Sequence, residues 1–173
     1  MSCTLSGSQP LDCKDSVGGI REIKVKVHTG STFVGNVTYS SGIISAIAAG
    51  SQSLWYTYNL EKETTSANDN GQYNPANGTT FYQQEVKIIM NKLSARLSYE
   101  FDQMAKARII VAIRDMNDVY WVYGYEFGCD VTAMTAGTGT ARGDRSGYEV
   151  TLTGKEKVPA PTITSTIYDT LVT

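Results

Sequence analysis

His28, Cys3, Cys13 and Cys129 are the side chains with the readiest acid–base, nucleophilic or metal-ligating chemistry, and their spacing does not assemble it. A hydrolytic triad needs a nucleophile, a base and an orienting acid, and the single histidine falls at the end of an expected strand with no such set around it. His28 is therefore read as a surface or strand-end residue. Zinc requires four ligands, or three and a water, and a chain whose only histidine is His28 offers poor material for such a site. The cysteines form no CxxC pair and leave one thiol over in any disulfide scheme, so a reduced site of assembly is expected, with a Cys3–Cys13 bridge as the alternative. Asp115 and Asp118 could pair as carboxylates or ligate calcium. They flank Met116-Asn117, however, in a turn that favours Asp and Asn for backbone reasons. Gly137-Thr138-Gly139 with Gly143 imitates a phosphate loop, but such a loop opens a helix, and here a strand follows. Arg142-Gly143-Asp144 spells an integrin-binding tripeptide and is read as a chance match. No catalytic residue, cofactor or metal is expected, and the chain is not expected to be an enzyme.

Composition points the same way. The formal net charge is −2 and the isoelectric point about 5.4, so there is no basic field to hold nucleic acid. Charged residues make up 18%, below the usual ~25%. Either partners cover part of the surface, or Thr, Ser and Asn solvate it without charge. The longest apolar run, Ile43 to Ala49, is too short to cross a bilayer, and the N-terminus lacks a charged region followed by an apolar one. The expectation is a soluble chain without an export address. A length of 173 residues suits one domain with a core that needs no staples.

The elements that would carry any site are mostly strands. Arg21 to Val27 alternates, with Ile23, Val25 and Val27 on one face and Glu22, Lys24 and Lys26 on the other, which predicts a half-buried strand. Val37 to Ile47 reads as a strand or hairpin. Leu54, Tyr56, Tyr58 and Leu60 share one face of the next strand, opposite Trp55 and Thr57, and Phe81 to Met90 makes a long one. At Ser94 the period changes. Leu93, Leu97, Phe101 and Met104 draw a helical stripe, with Ser94 as N-cap and Asp102–Lys106 as an i, i+4 pair, predicting one helix over about 94–106. Arg108 to Arg114 is apolar on both faces and is expected at the centre of its sheet, returning through Asp115–Asp118 into Val119 to Phe127 as a hairpin. Tyr148 to Thr153 is the last clear strand. The eleven tyrosines are read as core and cross-strand pairs rather than stacking surfaces. The fold class is mainly β: an antiparallel β-sandwich or partly closed barrel with one flanking α-helix and extended arms. Residues 1–19 form an N-terminal arm, 20–157 the sandwich, and 158–173 a C-terminal extension.

Two segments stand out for contact rather than chemistry. Glu63 to Thr80 (ETTSANDNGQYNPANGTT) lacks His, Cys, Lys and Arg. An overlong structureless connection in a compact domain is usually functional, so it is read as a polar arm that reaches a partner. Beyond Pro159-Ala160-Pro161, Thr162 to Thr173 is rich in β-branched residues and carries Ile163, Ile167 and Leu171. That segment is expected outside the body, where it completes a sheet edge of another copy; a frayed terminus is the alternative.

Three stretches, Leu11 to Ile20 (LDCKDSVGGI), Phe81 to Leu93 (FYQQEVKIIMNKL) and Tyr120 to Glu156, resemble a family of virion structural proteins of tailed bacteriophages, similar to tail tube proteins. The resemblance implies a β-sandwich with a flanking helix, assembled as stacked, hexameric rings around a channel through which DNA passes without specific binding. It also implies homo-oligomeric ring and ring-stack contacts, other tail or neck proteins as partners, no membrane, assembly in the host cytoplasm and residence in the virion tail. In that family a long loop reaches the neighbouring ring, so Asn68, Asn70, Tyr73, Pro75 and Asn77 become candidate inter-subunit contacts, with Tyr73 and Pro75 as anchors. A neck, stopper or tail-terminator ring protein is the alternative within the class. A small-ligand or glycan-binding β-sandwich is the alternative outside it.

Overall fold

Alternation and β-branching produce eleven strands among the described residues, and four short helices fill the gaps between them. The computed structural model describes Gly7 and residues 14–172. In chain order the elements are β1 (Ile20–Val27), α1 (Ser31–Gly35), β2 (Val37–Ser40), β3 (Ile43–Ile47), α2 (Ala49–Gln52), β4 (Tyr56–Asn59), β5 (Ser66–Asn74) and β6 (Thr79–Asn91). They continue with α3 (Ala95–Ala105), β7 (Ile109–Asp115), β8 (Tyr120–Tyr123), β9 (Cys129–Gly137), β10 (Gly147–Glu156), β11 (Thr162–Ile163) and α4 (Ser165–Thr170). The fold is mainly β. Every pairing is antiparallel except that of β11 with β3.

The strands run β2-β3-β11-β8-β7-β9-β10-β6-β5, with β1 bridging β7 and β4, and the sheet does not close into a barrel. β7 is the hinge of the architecture, as its doubly apolar sequence predicts. Ile109, Val111 and Ile113 enter one core with Ile23 and Val25 of β1, Val86 and Ile88 of β6, and Val150 and Leu152 of β10. Ile110 and Ala112 enter a second core with Phe33, Ile44, Trp55, Val122, Ile163, Tyr168 and Leu171. The chain passes from β8 to β9 through a corner at Gly124 and Gly128, both at positive φ. A Cβ on Gly124 would lie 2.8 Å from the Ile109 carbonyl oxygen and 2.9 Å from the Cys129 nitrogen, so the corner admits only glycine there.

The expected helix is α3. Ser94 caps it, its Oγ accepting from the Leu97 N–H at 3.2 Å, and Phe101 and Met104 are its buried residues. The buried Tyr148 of β10 holds its start: the hydroxyl donates to the Ser94 carbonyl (2.9 Å) and lies 2.7 Å from Ser98 Oγ. Val37 to Ile47 resolves into the β2–β3 hairpin, turned by Ser41 and Gly42, both at positive φ.

Several expectations are corrected. The second face of β1 is not solvated: Lys24 and Lys26 are buried because α4 and the end of α2 cover them. Lys24 Nζ donates to the carbonyls of Tyr168 (2.8 Å) and Leu171 (2.9 Å), and Lys26 Nζ to those of Ser51 (2.9 Å) and Ser53 (2.7 Å). The expected fourth strand begins only at Tyr56, and of the two residues before it Trp55 is buried in the second core and Leu54 exposed. His28 follows the last residue of β1, as the strand-end reading has it, but it is buried rather than on the surface, its Nδ1 accepting from the Gly30 N–H at 2.9 Å. Cys129, unassigned to any element by pattern, starts β9 as a free, buried thiol that burial pushes up to about 12. Cys3 and Cys13, and with them the proposed bridge and most of the N-terminal arm, lie outside the described residues.

The tail is corrected most. Residues 158–172 pack onto their own body: β11 inserts between β3 and β8, and Ile163 and Leu171 are buried in the second core with Ile167 packed against it. Val172 closes the arrangement, its N–H donating to the Gln52 carbonyl and its carbonyl accepting from the Trp55 N–H, both at 3.0 Å. The apolar residues read as bait for another copy satisfy a core within this one. Burying them in cis costs no loss of translational freedom.

Candidate functional site: a polar hairpin with an open edge

Glu63 to Thr80 is not a structureless loop. Ser66–Asn74 pairs with β6 over nine consecutive residues, Ser66 with Lys87 through Asn74 with Thr79, without a bulge. The turn between them uses Pro75 to Gly78. The Asn77 N–H donates to Asn74 Oδ1 at 3.2 Å, and Gly78 takes positive φ. The strand is almost uncharged and poor in β-formers, so its own propensity does not make it. Its backbone bonds to β6 do, and β6 is anchored in the first core by Val86 and Ile88.

Alternation assigns the side chains. Ser66, Asn68, Asn70, Gln72 and Asn74 lie on the outer face, all exposed; Ala67, Asp69, Gly71 and Tyr73 lie on the inner one. The candidate contacts Asn68 and Asn70 thus stand on the outer face. Tyr73, 66% exposed, lies on the inner face near the tip, and Pro75 and Asn77 are exposed in the turn itself. The structure places these five on one hairpin; it does not join them to Ile163, Ile167 or Leu171, which belong to the second core.

Buried polar groups fix the hairpin's base. Asp69 Oδ2 accepts from the Ala160 N–H at 2.6 Å, tying β5 to the start of the tail. Opposite Asp69, the fully buried Gln84 accepts from the Gly124 N–H at 2.9 Å through Oε1. Nearby, the buried Glu156 accepts from the N–H groups of Glu126 (3.0 Å) and Phe127 (2.9 Å). Burial pushes this carboxyl above its ordinary 4.5, while the backbone donors pull the other way. On the inner face Tyr73 meets Tyr82 edge-on at 6.3 Å; Tyr39 of β2 and Tyr125 form a separate tilted pair at 5.4 Å. A Cβ on Gly71 would lie 2.3 Å from the Tyr73 hydroxyl, so Gly71 is what lets that ring fold back along the strand.

The outer edge of β5 is open. It ends the strand order, and among the described residues no backbone hydrogen bond joins residues 66–74 to anything but β6. It carries no Lys, Arg or Pro and no bulge; of the usual guards of an edge it has only the inward-facing Asp69. The edges of β2, with four residues and a bulge at Thr38/Tyr39, and of β4, with four, are shorter. β9 is also unpaired on one side beyond its single register pair, Cys129 with Ile109, but its ladder to β10 is broken by a bulge, whereas that of β5 to β6 is not. Beside β4 a groove of about 520 Å³, lined by Tyr56, Tyr58, Met90, Arg96, Leu97 and Glu100, runs along α3.

Pattern reading found the residues of this hairpin but missed its form. The signal available was indirect: a turn-type Asn-Pro-Ala-Asn-Gly cluster preceding a long strand. Lys24, Lys26, Gln84 and Glu156 were missed as buried supports, and nothing local marks them. No protein-family model, no curated protein and no solved structure matches this chain.

Proposed function

We propose that this chain is a virion structural protein, a bacteriophage tail tube subunit that acts by self-assembly into stacked rings, hexameric in the family it resembles, forming a conduit for DNA. One observation carries the reading beyond the sequence resemblance: a nine-residue open strand edge, free of Lys, Arg, Pro and bulges, on an anchored polar hairpin, which has the form of an assembly element rather than a reactive one. A weakly acidic subunit also suits a channel through which DNA must slide without adhering. The tail is not a contact element in this reading, because its own body uses it.

Electron microscopy of the purified protein tests the proposal: rings and tubes are expected. A variant in which residues 70–79 are replaced by a short turn is expected to stay folded, since the removed residues lie outside both cores, and to lose ring stacking. Tubes that form normally without the hairpin tip overturn its role. A second reading, a glycan-binding module, is favoured by the pair of tyrosines Tyr73 and Tyr82 on the inner face. A particle that never assembles, with sugar-dependent quenching of tyrosine fluorescence lost in Tyr73→Ala, would select it.

A further inference from the structure

We infer that β5 is a self-pairing edge: two copies of this chain join antiparallel through residues 66–74 about a two-fold axis at Asn70, giving one continuous sheet across the pair.

The occupant follows from the strand's own sequence. Nine residues of regular backbone, about 30 Å long at strand rise, present donors and acceptors that no described residue uses. A strand partner satisfies them, and a second copy is present wherever the first one is. Antiparallel pairing centred on Asn70 uses all nine residues and sets Ser66 against Asn74, Asn68 against Gln72 and Asn70 against itself on the outer face. Each of these pairs can donate and accept. On the inner face the only charge, Asp69, meets Gly71, and Ala67 meets Tyr73, so no like charges oppose each other. The alternatives are worse: parallel in-register pairing, or antiparallel pairing centred on Asp69, sets carboxylate against carboxylate. A centre at Gly71 would bring Pro75 into the ladder.

This goes beyond the tube reading. A two-fold contact closes at two copies and cannot propagate a tube, which needs head-to-tail contacts. The pair is the form in which unassembled copies cover an edge that would otherwise recruit any strand.

The test uses the full chain with Cys3 and Cys13 replaced by Ser, leaving the buried Cys129. Sedimentation equilibrium is expected to show a monomer–dimer equilibrium. Asn70→Cys is expected to form a disulfide-linked dimer on mild oxidation, because residues opposite each other across antiparallel strands lie about 4.5–5.5 Å apart at Cα, within disulfide reach. Asn68→Cys is expected not to, because its twin lies four positions along the ladder, about 13 Å away. Asn70→Lys, which places like charges at the axis, is expected to weaken the dimer at least about tenfold, or 1.4 kcal/mol, with an unchanged thermal midpoint at concentrations where both proteins are monomeric. A monomer at all concentrations overturns the inference, as does a dimer that links equally through Asn68→Cys, or one that Asn70→Lys leaves intact. Should Asn70→Lys fail to fold, the cysteine pair still decides. Dimers without rings refute the tube reading and leave this one standing; rings without dimers do the reverse.

Discussion

Replacing Lys24 by Met asks whether the tail is held by the buried lysine or merely rests on the core. The ammonium donates to the carbonyls of Tyr168 (2.8 Å) and Leu171 (2.9 Å) at the end of α4, and sits 4.4 Å from the Tyr168 ring centroid. Tyr168 in turn donates its hydroxyl to Glu22 at 3.0 Å, so residues of one strand hold both ends of the ring. Methionine keeps the aliphatic packing and removes the donors. The Tyr168 carbonyl still accepts from the Leu171 N–H at 3.2 Å, which leaves chiefly the Leu171 carbonyl stranded in a buried site. Hydrogen bonds to a charged group contribute about 1.5–3 kcal/mol each, and a buried orphan costs about 1–3 kcal/mol. Freedom from desolvating an ammonium returns part of that. The net expectation is a loss of about 2–4 kcal/mol, seen as a lower urea midpoint, with amide exchange accelerated first in residues 162–172. A variant within about 0.5 kcal/mol of the parent, with tail protection unchanged, would show that apolar burial of Ile163, Tyr168 and Leu171 alone fixes the tail.

Two further outcomes test the frame around the hairpin. Gly147 faces the β6 backbone so closely that a Cβ would lie 2.2 Å from the Met90 carbonyl oxygen; Gly147→Ala is expected to destabilise the fold by about 1–3 kcal/mol in urea titration, and an unaffected midpoint would refute the close approach. Glu156 holds its proton in the folded state at pH values where the unfolded chain has released it. Its titration therefore favours folding below the ordinary 4.5, and that advantage is lost as pH rises through the raised value. Stability measured against pH across the acid range should show this slope in the parent and lack it in Glu156→Gln; equal slopes would remove Glu156 as its source.

Much of this molecule is legible in its sequence. The alternation of Ile23 and Val25, the doubly apolar Ile109 to Ile113, and the stripe of Leu97, Phe101 and Met104 behind Ser94 each record a partition between core and water, and each forms the element it announces. Such patterns report whether a face is buried; they do not report what buries it. Lys24 and Lys26 look solvated because their covering, α4 and the end of α2, comes from up to 147 residues away and satisfies them through backbone carbonyls, which no side-chain pattern encodes. The tail's apolar residues advertise a need for cover and are silent on whose cover it is. β5 is the limiting case: Ser-Ala-Asn-Asp-Asn-Gly-Gln-Tyr-Asn has no core face of its own to declare, and it is a strand because β6 offers it a backbone ladder. Partition between oil and water is local and written in residue order, whereas the choice of hydrogen-bonding neighbour is made only when the chain has closed on itself.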